Sequence, residues 1–280
     1  MALSSYSELL GYARERKFTV GAFNSFNMES LQAVVSAADR TGSPLIVQTY
    51  HAHMDFAGAD YMRALCETAS RHAKVKVALG LDHGKTYEQA VRCIEAGYSG
   101  VMIDLSSEDY AVNVAETKRV AEAAHARGVS VEAEIGKIFD ADATPEEIAT
   151  GYTDPDLARR FVEETRVDCL AVSIGTAHGF YTHAPKVNFD LLEEILRVVP
   201  CPIVVHGGSY TPDADVLRMV KMGVAKFNVG GEFFAAYKKT ILGLLTGDFN
   251  REATEVMAAA RAAIEKVALA KLKLLNAYRI

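Results

Sequence analysis

AKFNVGGEFFAAYKKTILGLL, residues 225–245, is the stretch that decides the fold. A short apolar run, residues 225–229, stops at Gly230-Gly231, and a helical segment starts at once. A strand that hands over directly to a helix is half of a βα repeat. Working outward, the same succession recurs. FTVGAF (18–23) precedes MESLQAVVSAADRTG, PLIVQT (44–49) precedes a helix near 58–72, and VKVALGL (75–81) precedes YEQAVRCIEAG. GVMID (100–104), VSVEAE (129–134), CLAVSI (169–174) and PIVVH (202–206) each lead to a further helical segment, the second after an irregular polar stretch. The eight strands are β-branched and almost continuously apolar, as strands covered on both faces are. Gly42, Gly97, Gly128 and Gly223 follow helices where C-caps belong. Eight βα units in about 230 residues predict an α/β chain folded as a (β/α)8 TIM barrel. An open doubly wound sheet is the rival, but no Gly-rich dinucleotide fingerprint follows the first strand.

Composition narrows the function classes. The 280 residues are expected to form one barrel domain, with about 248–280 as a helical C-terminal extension. That extension either caps the barrel's own helices or packs on a neighbouring subunit. The formal charge of -6 gives no basic field for nucleic acid. No apolar run approaches the roughly 20 residues of a membrane span, and MALSSYSELLGYARERK reads as an amphipathic helix without a signal-peptide core. Cys66, Cys93, Cys169 and Cys201 are widely spaced in apolar contexts and read as reduced core residues of a cytoplasmic protein.

In a barrel of this type the chemistry sits at the C-terminal ends of the strands. There the chain carries Asn24, Asp82-His83, Asp104, Glu134, Thr176-Ala177-His178-Gly179, His206-Gly207-Gly208-Ser209 and Asn228. Three neutral imidazoles with an open fourth position are the usual recipe for catalytic zinc. A lone buried histidine is more often a hydrogen-bonded core residue, but His83, His178 and His206 share one rim. His51, His53, His72, His125 and His183 read as ordinary histidines, although His51 and His53 follow strand 2 and could touch a ligand. The acids suit proton transfer or an alternative metal position. Gly179, Gly207 and Gly208 admit close approach of a ligand to backbone N–H groups, and Ser209 adds a hydroxyl, so the turn suits an anion.

LDHG (81–84), GYSGVMIDLSS (97–107), HARGVSVEAEIGKI (125–138), SIGTAHGFY (173–181), PKVNFDLLEEI (185–195), VVHGGS (204–209) and GVAKFNV (223–229) resemble the class II, zinc-dependent ketose-bisphosphate aldolases. The resemblance spans about residues 4–245. It implies His83, His178 and His206 as ligands of one catalytic zinc per subunit, with a monovalent cation as an optional companion. It also implies Asp104 and Glu134 at a second position for a mobile metal. Asp82 would shuttle the C4 hydroxyl proton, and Asn228 would bond the enediolate. Asn24 would line the pocket, and Gly179, Gly207 and Ser209 would surround a phosphate. The substrate would be a sugar or sugar phosphate, and the assembly a homodimer or homotetramer.

The pattern breaks at the donor end. The family's Asn-Val pair on strand 8 is typically followed by Asp and Thr, and here both are glycine, Gly230 and Gly231. Thr182, Tyr50 and Tyr210 also depart from the usual residues. The mobile loop reads KIFDADATPEEIATGYTDP, where Asp142 is the nearest acid in register to move the C3 proton, with Asp140, Glu146 and Glu147 also at hand. Either Gly230 and Gly231 still cradle a phosphate through backbone N–H groups, or the phosphate has been dropped and Tyr50 or Tyr210 fills the space. A lysine-imine mechanism would need Lys226, which lies inside strand 8. A non-catalytic companion subunit and a zinc hydrolase are the readings from other classes; a companion subunit would purify without stoichiometric zinc.

Overall fold

The computed structural model describes residues 3–181 and 185–280. Its eight parallel strands are β1 (Val20–Asn24), β2 (Leu45–Tyr50), β3 (Val77–Asp82), β4 (Gly100–Ile103), β5 (Ser130–Ile135), β6 (Cys169–Val172), β7 (Ile203–Val205) and β8 (Lys226–Val229). They pair in chain order and close β8 onto β1, with Ala22 beside Asn228. The expected (β/α)8 barrel is therefore the observed architecture.

Among the described residues, twelve helices surround and cap the barrel. They are α1 (Tyr6–Arg16), α2 (Met28–Thr41), α3 (His51–Ala57), α4 (Ala59–His72), α5 (Tyr87–Ala96) and α6 (Tyr110–His125), then α7 (Pro145–Thr150), α8 (Pro155–Thr165), α9 (Phe189–Val198), α10 (Asp213–Met222), α11 (Gly231–Gly247) and α12 (Ala253–Leu275). Gly42, Gly97 and Gly223 cap α2, α5 and α10 in the left-handed region, as their positions predict. Helix α3 follows β2 without a loop, and the strand-helix pattern gave no sign of it.

Alternation along each strand builds two apolar cores. On β5, Val131, Ala133 and Ile135 join the outer core between sheet and helices. Ser130, Glu132 and Glu134 alternate with them. The inner core is plugged from below by α1, whose Tyr6, Leu9, Leu10 and Ala13 pack with Val20, Ala22, Ile46, Ala78, Met102, Cys169, Ala171 and Val204. Gly80 and Gly100 lie side by side on β3 and β4 because a Cβ at either would collide with the Tyr6 ring. The bottom is thus sealed by an aromatic plug and the top is left polar.

The C-terminal helix α12 packs on α2 and α11 of its own barrel. The backbone N–H of Thr19 donates to Leu275 O at 3.0 Å, and that of Ile280 to Arg16 O at 3.0 Å. The extension lies against the barrel's own helices. Among the described residues no helix is long and apolar enough to cross a membrane.

Candidate active site

A cavity of about 470 Å³ opens at the C-terminal ends of the strands. It gathers Asn24, Asp82, His83, Asp104, Glu134, His178, Gly179, His206, Gly207, Ser209, Asn228, Gly230 and Gly231 from all over the sequence. The strand register accounts for the convergence. Asn24, Asp82, Glu134 and Asn228 sit at or next to the ends of their strands on the side that alternation turns inward, and the others lie in the segments that follow.

The three histidines meet. One ring nitrogen of each lies within 4.8 Å of the others. His83 Nδ1 is 2.9 Å from Asp104 Oδ2, which leaves Nε2 facing His206 Nδ1 at 2.9 Å. His206 Nε2 is 2.8 Å from Glu132 Oε1. His178 Nε2 is buried with no hydrogen-bond partner among the described residues. A buried imidazole nitrogen without a partner, beside two more that face each other, fits a cation in their midst. His83 stands in the left-handed region at φ 48, a conformation rare for non-glycine residues that clusters at functional sites.

A second group, His83 with Asp104 and Glu134, also has metal-ligand spacing. It shares His83, but through the opposite face of the ring: Glu134 Oε2 is 4.0 Å from Nδ1. Lys85 Nζ binds Asp104 Oδ2 at 2.7 Å, and Ser106 Oγ donates to Asp104 Oδ1 at 2.8 Å and to Glu134 Oε1 at 3.0 Å. Glu134 Oε2 has no hydrogen-bond partner among the described residues.

Charge in this crowd is set by burial and by neighbours. Burial and the Asp104 carboxylate push Glu134 up to about 8. Burial opposes ionisation of His83, yet Asp82, Asp104 and Glu134 together raise it to about 9. Burial and the other two imidazoles press His178 down to about 3, which keeps it neutral and able to ligate. Burial would raise Asp82, but His83, His206, Lys226 and the Asn24 amide hold it below the usual range. Asp82 therefore stands as a carboxylate. Asn24 Nδ2 donates to its Oδ2 at 2.7 Å, and Asn228 Nδ2 to its Oδ1 at 3.2 Å.

A family model described as "Fructose-bisphosphate aldolase class-II" matches residues 4–279. A sulfofructosephosphate aldolase from Alkalicoccus urumqiensis is 38% identical over 239 residues, covering 85% of this chain and 83% of the relative. A fructose-bisphosphate aldolase from Thermus caldophilus is 35% identical over 295 residues, covering 95% and 96%. Among solved structures, the YdjI aldolase of Escherichia coli K12 superimposes with a TM-score of 0.86 at 29% identity, covering 98% and 97%. The chain belongs to the class II fructose-bisphosphate aldolase family. It is a metal-dependent aldolase, a carbon–carbon lyase.

Beneath the rim, this class II aldolase carries a buried layer that strand-end reading missed. Lys226 Nζ binds Glu132 Oε2 at 2.7 Å, both side chains fully buried, and Asn228 Oδ1 at 2.8 Å. Lys226 thus turns the Asn228 amide so that its NH2 faces Asp82 and His206. A lysine held in this way, and absent from the cavity lining, is not placed to form an imine. Burial opposes the charge on Glu132, but Lys226 and His206 bring its carboxyl down to about 2. Two glutamates two residues apart in VEAE were the available signal, since an apolar strand has no other reason to carry both.

The loop acids take different places. Asp142 is exposed and does not line the cavity, whereas Asp140 does. Residues 139–141 run beside His178: its N–H donates to Phe139 O at 2.9 Å, and the Ala141 N–H donates to its carbonyl at 2.7 Å. This pins Asp140 at the cavity and carries Asp142 past it. Glu147 caps α7 through Thr144. Tyr50 lines the cavity, but Tyr210 does not; it stacks on Phe180 with ring centroids 4.8 Å apart. His51 and His53 are also absent from the lining, and Thr182 and His183 lie outside the described residues.

The HGGS glycines have packing reasons of their own. Gly207 is left-handed at φ 68, and a Cβ there would run into the Ala177 backbone. A Cβ at Gly208 would strike Phe227 and the Asn228 carbonyl, to which the Gly208 N–H donates at 3.0 Å. Gly179, at φ 100, faces open space.

Proposed function

We propose that this aldolase carries out the reversible retro-aldol cleavage of a ketose or ketose phosphate into a dihydroxyacetone unit and an aldehyde, with zinc as its ion. The observation that carries the reading is the convergence of three imidazole nitrogens beside Asp82 and Asn228 at the mouth of the barrel. His83, His178 and His206 would hold zinc, and Asp104 and Glu134 would offer the ion a second position. When bound, zinc supplies Lewis acidity to a substrate carbonyl oxygen.

The chain's own residues supply the rest. Asp82 takes the proton of the C4 hydroxyl. The C3–C4 bond then breaks, the aldehyde leaves, and the electron pair stays on C3, delocalised onto the C2 oxygen as an enediolate. The Asn228 amide, aimed by Lys226, donates to that oxygen. Asp140, in place of Asp142, returns a proton to C3. Asn24 holds Asp82 in position, and Gly179, Gly207, Ser209, Gly230 and Gly231 surround the donor end. The names of the relatives favour a sugar phosphate as substrate class. We also propose a homodimer or homotetramer, for which exposed Leu242 and Phe249 near the end of α11 offer an apolar surface.

Metal analysis and cleavage of a ketose panel test the reading together. About one zinc per chain is expected, with aldehyde release abolished by chelation and restored by zinc. Protein that purifies without zinc, and cleaves no ketose after zinc is added, would remove this reading.

A further inference from the structure

The second metal position, Asp104 with Glu134 and the Nδ1 side of His83, already holds a cation of the chain's own. Lys85 Nζ lies 2.7 Å from Asp104 Oδ2, the same oxygen that stands 2.9 Å from His83 Nδ1. The other oxygen, Oδ1, accepts from the Ser106 N–H at 3.2 Å and from the Ser106 hydroxyl at 2.8 Å. Both oxygens of Asp104 are thus engaged, while Glu134 Oε2 has no hydrogen-bond partner among the described residues. An ion entering here either shares Oδ2 with an ammonium or displaces Ser106 from Oδ1. In both cases it meets a like charge close by and away from bulk water, where repulsion is strong.

The sheet puts Lys85 in this place. Just beyond β3, Gly84 pairs with Ile103 of β4. The Gly84 N–H donates to Met102 O at 3.1 Å, and the Asp104 N–H donates to Gly84 O at 2.8 Å. A Cβ on Gly84 would lie 2.6 Å from Met102 O, so glycine is what lets the two backbones come this close. On the other side, the Lys85 N–H donates to Gln89 Oε1 at 2.8 Å, in the first turn of α5. The backbone of Lys85 is therefore fixed beside Asp104, and a group tethered so near acts at high effective concentration. Its side chain is 49% exposed, against 8% for Asp104 and 2% for Glu134. The lysine can withdraw into solvent, whereas the two acids cannot.

We propose that Lys85 is a gate on the second metal position. Its ammonium neutralises Asp104 in place of an ion and competes with any ion for that carboxylate. One ion is then retained at the three imidazoles. A second ion, or the same ion moving across, enters only when Lys85 swings out. The inference rests on the three-histidine metal reading above.

The test is metal binding rather than turnover. Zinc-loaded enzyme is dialysed against rising free zinc, and bound zinc per chain is counted by plasma spectrometry. The wild type should hold one ion firmly and take a second only weakly. Lys85→Met keeps the length of the side chain and removes its charge, and it should bind the second ion at least about tenfold more tightly. Lys85→Arg keeps a cation and should take the second ion as weakly as the parent. Adding Asp104→Asn to Lys85→Met should abolish the gain, because the second ion needs that carboxylate. Equal second-ion affinity in the parent and in Lys85→Met, with the first ion retained by both, would overturn the gate and leave the three-histidine reading intact. A gain that survives Asp104→Asn would overturn it too, since the extra ion would then sit elsewhere. Failure of the parent to retain even one ion would overturn the metal reading beneath it.

Discussion

On the β3-to-β7 side of the cavity, His178 Nε2 and Glu134 Oε2 are buried with no hydrogen-bond partner among the described residues, and two imidazole nitrogens face each other. On the β7 and β8 side, the N–H groups of Gly230, Glu232 and Tyr210 end on Ser209 and Glu232. The first wall is incomplete without a guest, while the second has partners of its own. Unpaired buried polar atoms cost free energy unless something joins them, so the first wall points to an ion. The second wall, held by the chain's own oxygens, carries no such signal. An ion site thus announces itself through absent partners.

The largest effect expected comes from breaking the first wall. His178→Ala should remove bound zinc and lower kcat/KM by about a thousandfold or more, since Lewis-acid stabilisation is worth several kcal/mol at about 1.4 kcal/mol per decade. Its far-ultraviolet circular dichroism should stay that of the parent. Metal content by plasma spectrometry checks the claim; full zinc occupancy with full activity would contradict it.

Next comes the loop acid, which separates position in sequence from position in space. Asp140→Asn should lower kcat by about a hundredfold, the lower range for loss of a positioned acid or base. Asp142→Asn should leave it within about a factor of two, as for a group that touches no substrate. Equal losses would mean that the loop changes its path when substrate binds.

Smaller, and read on metal rather than turnover, is Glu132→Gln. Glu132 fixes the ring of His206 through Nε2 and is itself held by Lys226. Partners behind a ligating histidine are worth about 10–100-fold in metal affinity. Competition with a chromophoric chelator should show a loss of that size.

What could be read from the sequence follows the same division. The eight strands and their rim residues were legible because alternation and chain order dictate them: His83, His178, His206, Asp82 and Asn228 converge on one cavity. Glu132 and Lys226 were not read as a pair, because both sit below the rim and each looks like an ordinary strand residue until the barrel closes. That Asp142 would lie off the cavity was not legible, because register within a loop is not set by strand geometry. It depends on the hydrogen bonds to His178, which no local pattern encodes. Glu232 went unremarked beside two glycines because its partners, Tyr210 and Lys271, are 22 and 39 residues away in sequence.

The glycine doublet itself gives the finest test. Gly230 and Gly231 are neighbours with different surroundings. A Cβ at Gly230 would lie 2.8 Å from Asn24 Oδ1, so Gly230→Ala must displace the amide that donates to Asp82. Loss of that charge-assisted bond, at about 1.5–3 kcal/mol, predicts a fall in kcat/KM of about tenfold or more. A Cβ at Gly231 would meet Ser209 Cβ and Oγ at 3.4 Å, an ordinary contact, and the residue opens α11 without a positive φ. Gly231→Ala restricts the unfolded chain at no steric cost, which is worth about 0.4–1 kcal/mol. The melting temperature should rise by about one to three degrees with activity little changed. If instead Gly231→Ala were the damaging member of the pair, a ligand would have to approach the α11 N-terminus more closely than Ser209 and Glu232 leave room for, and the contrast between the two walls would fail at that point.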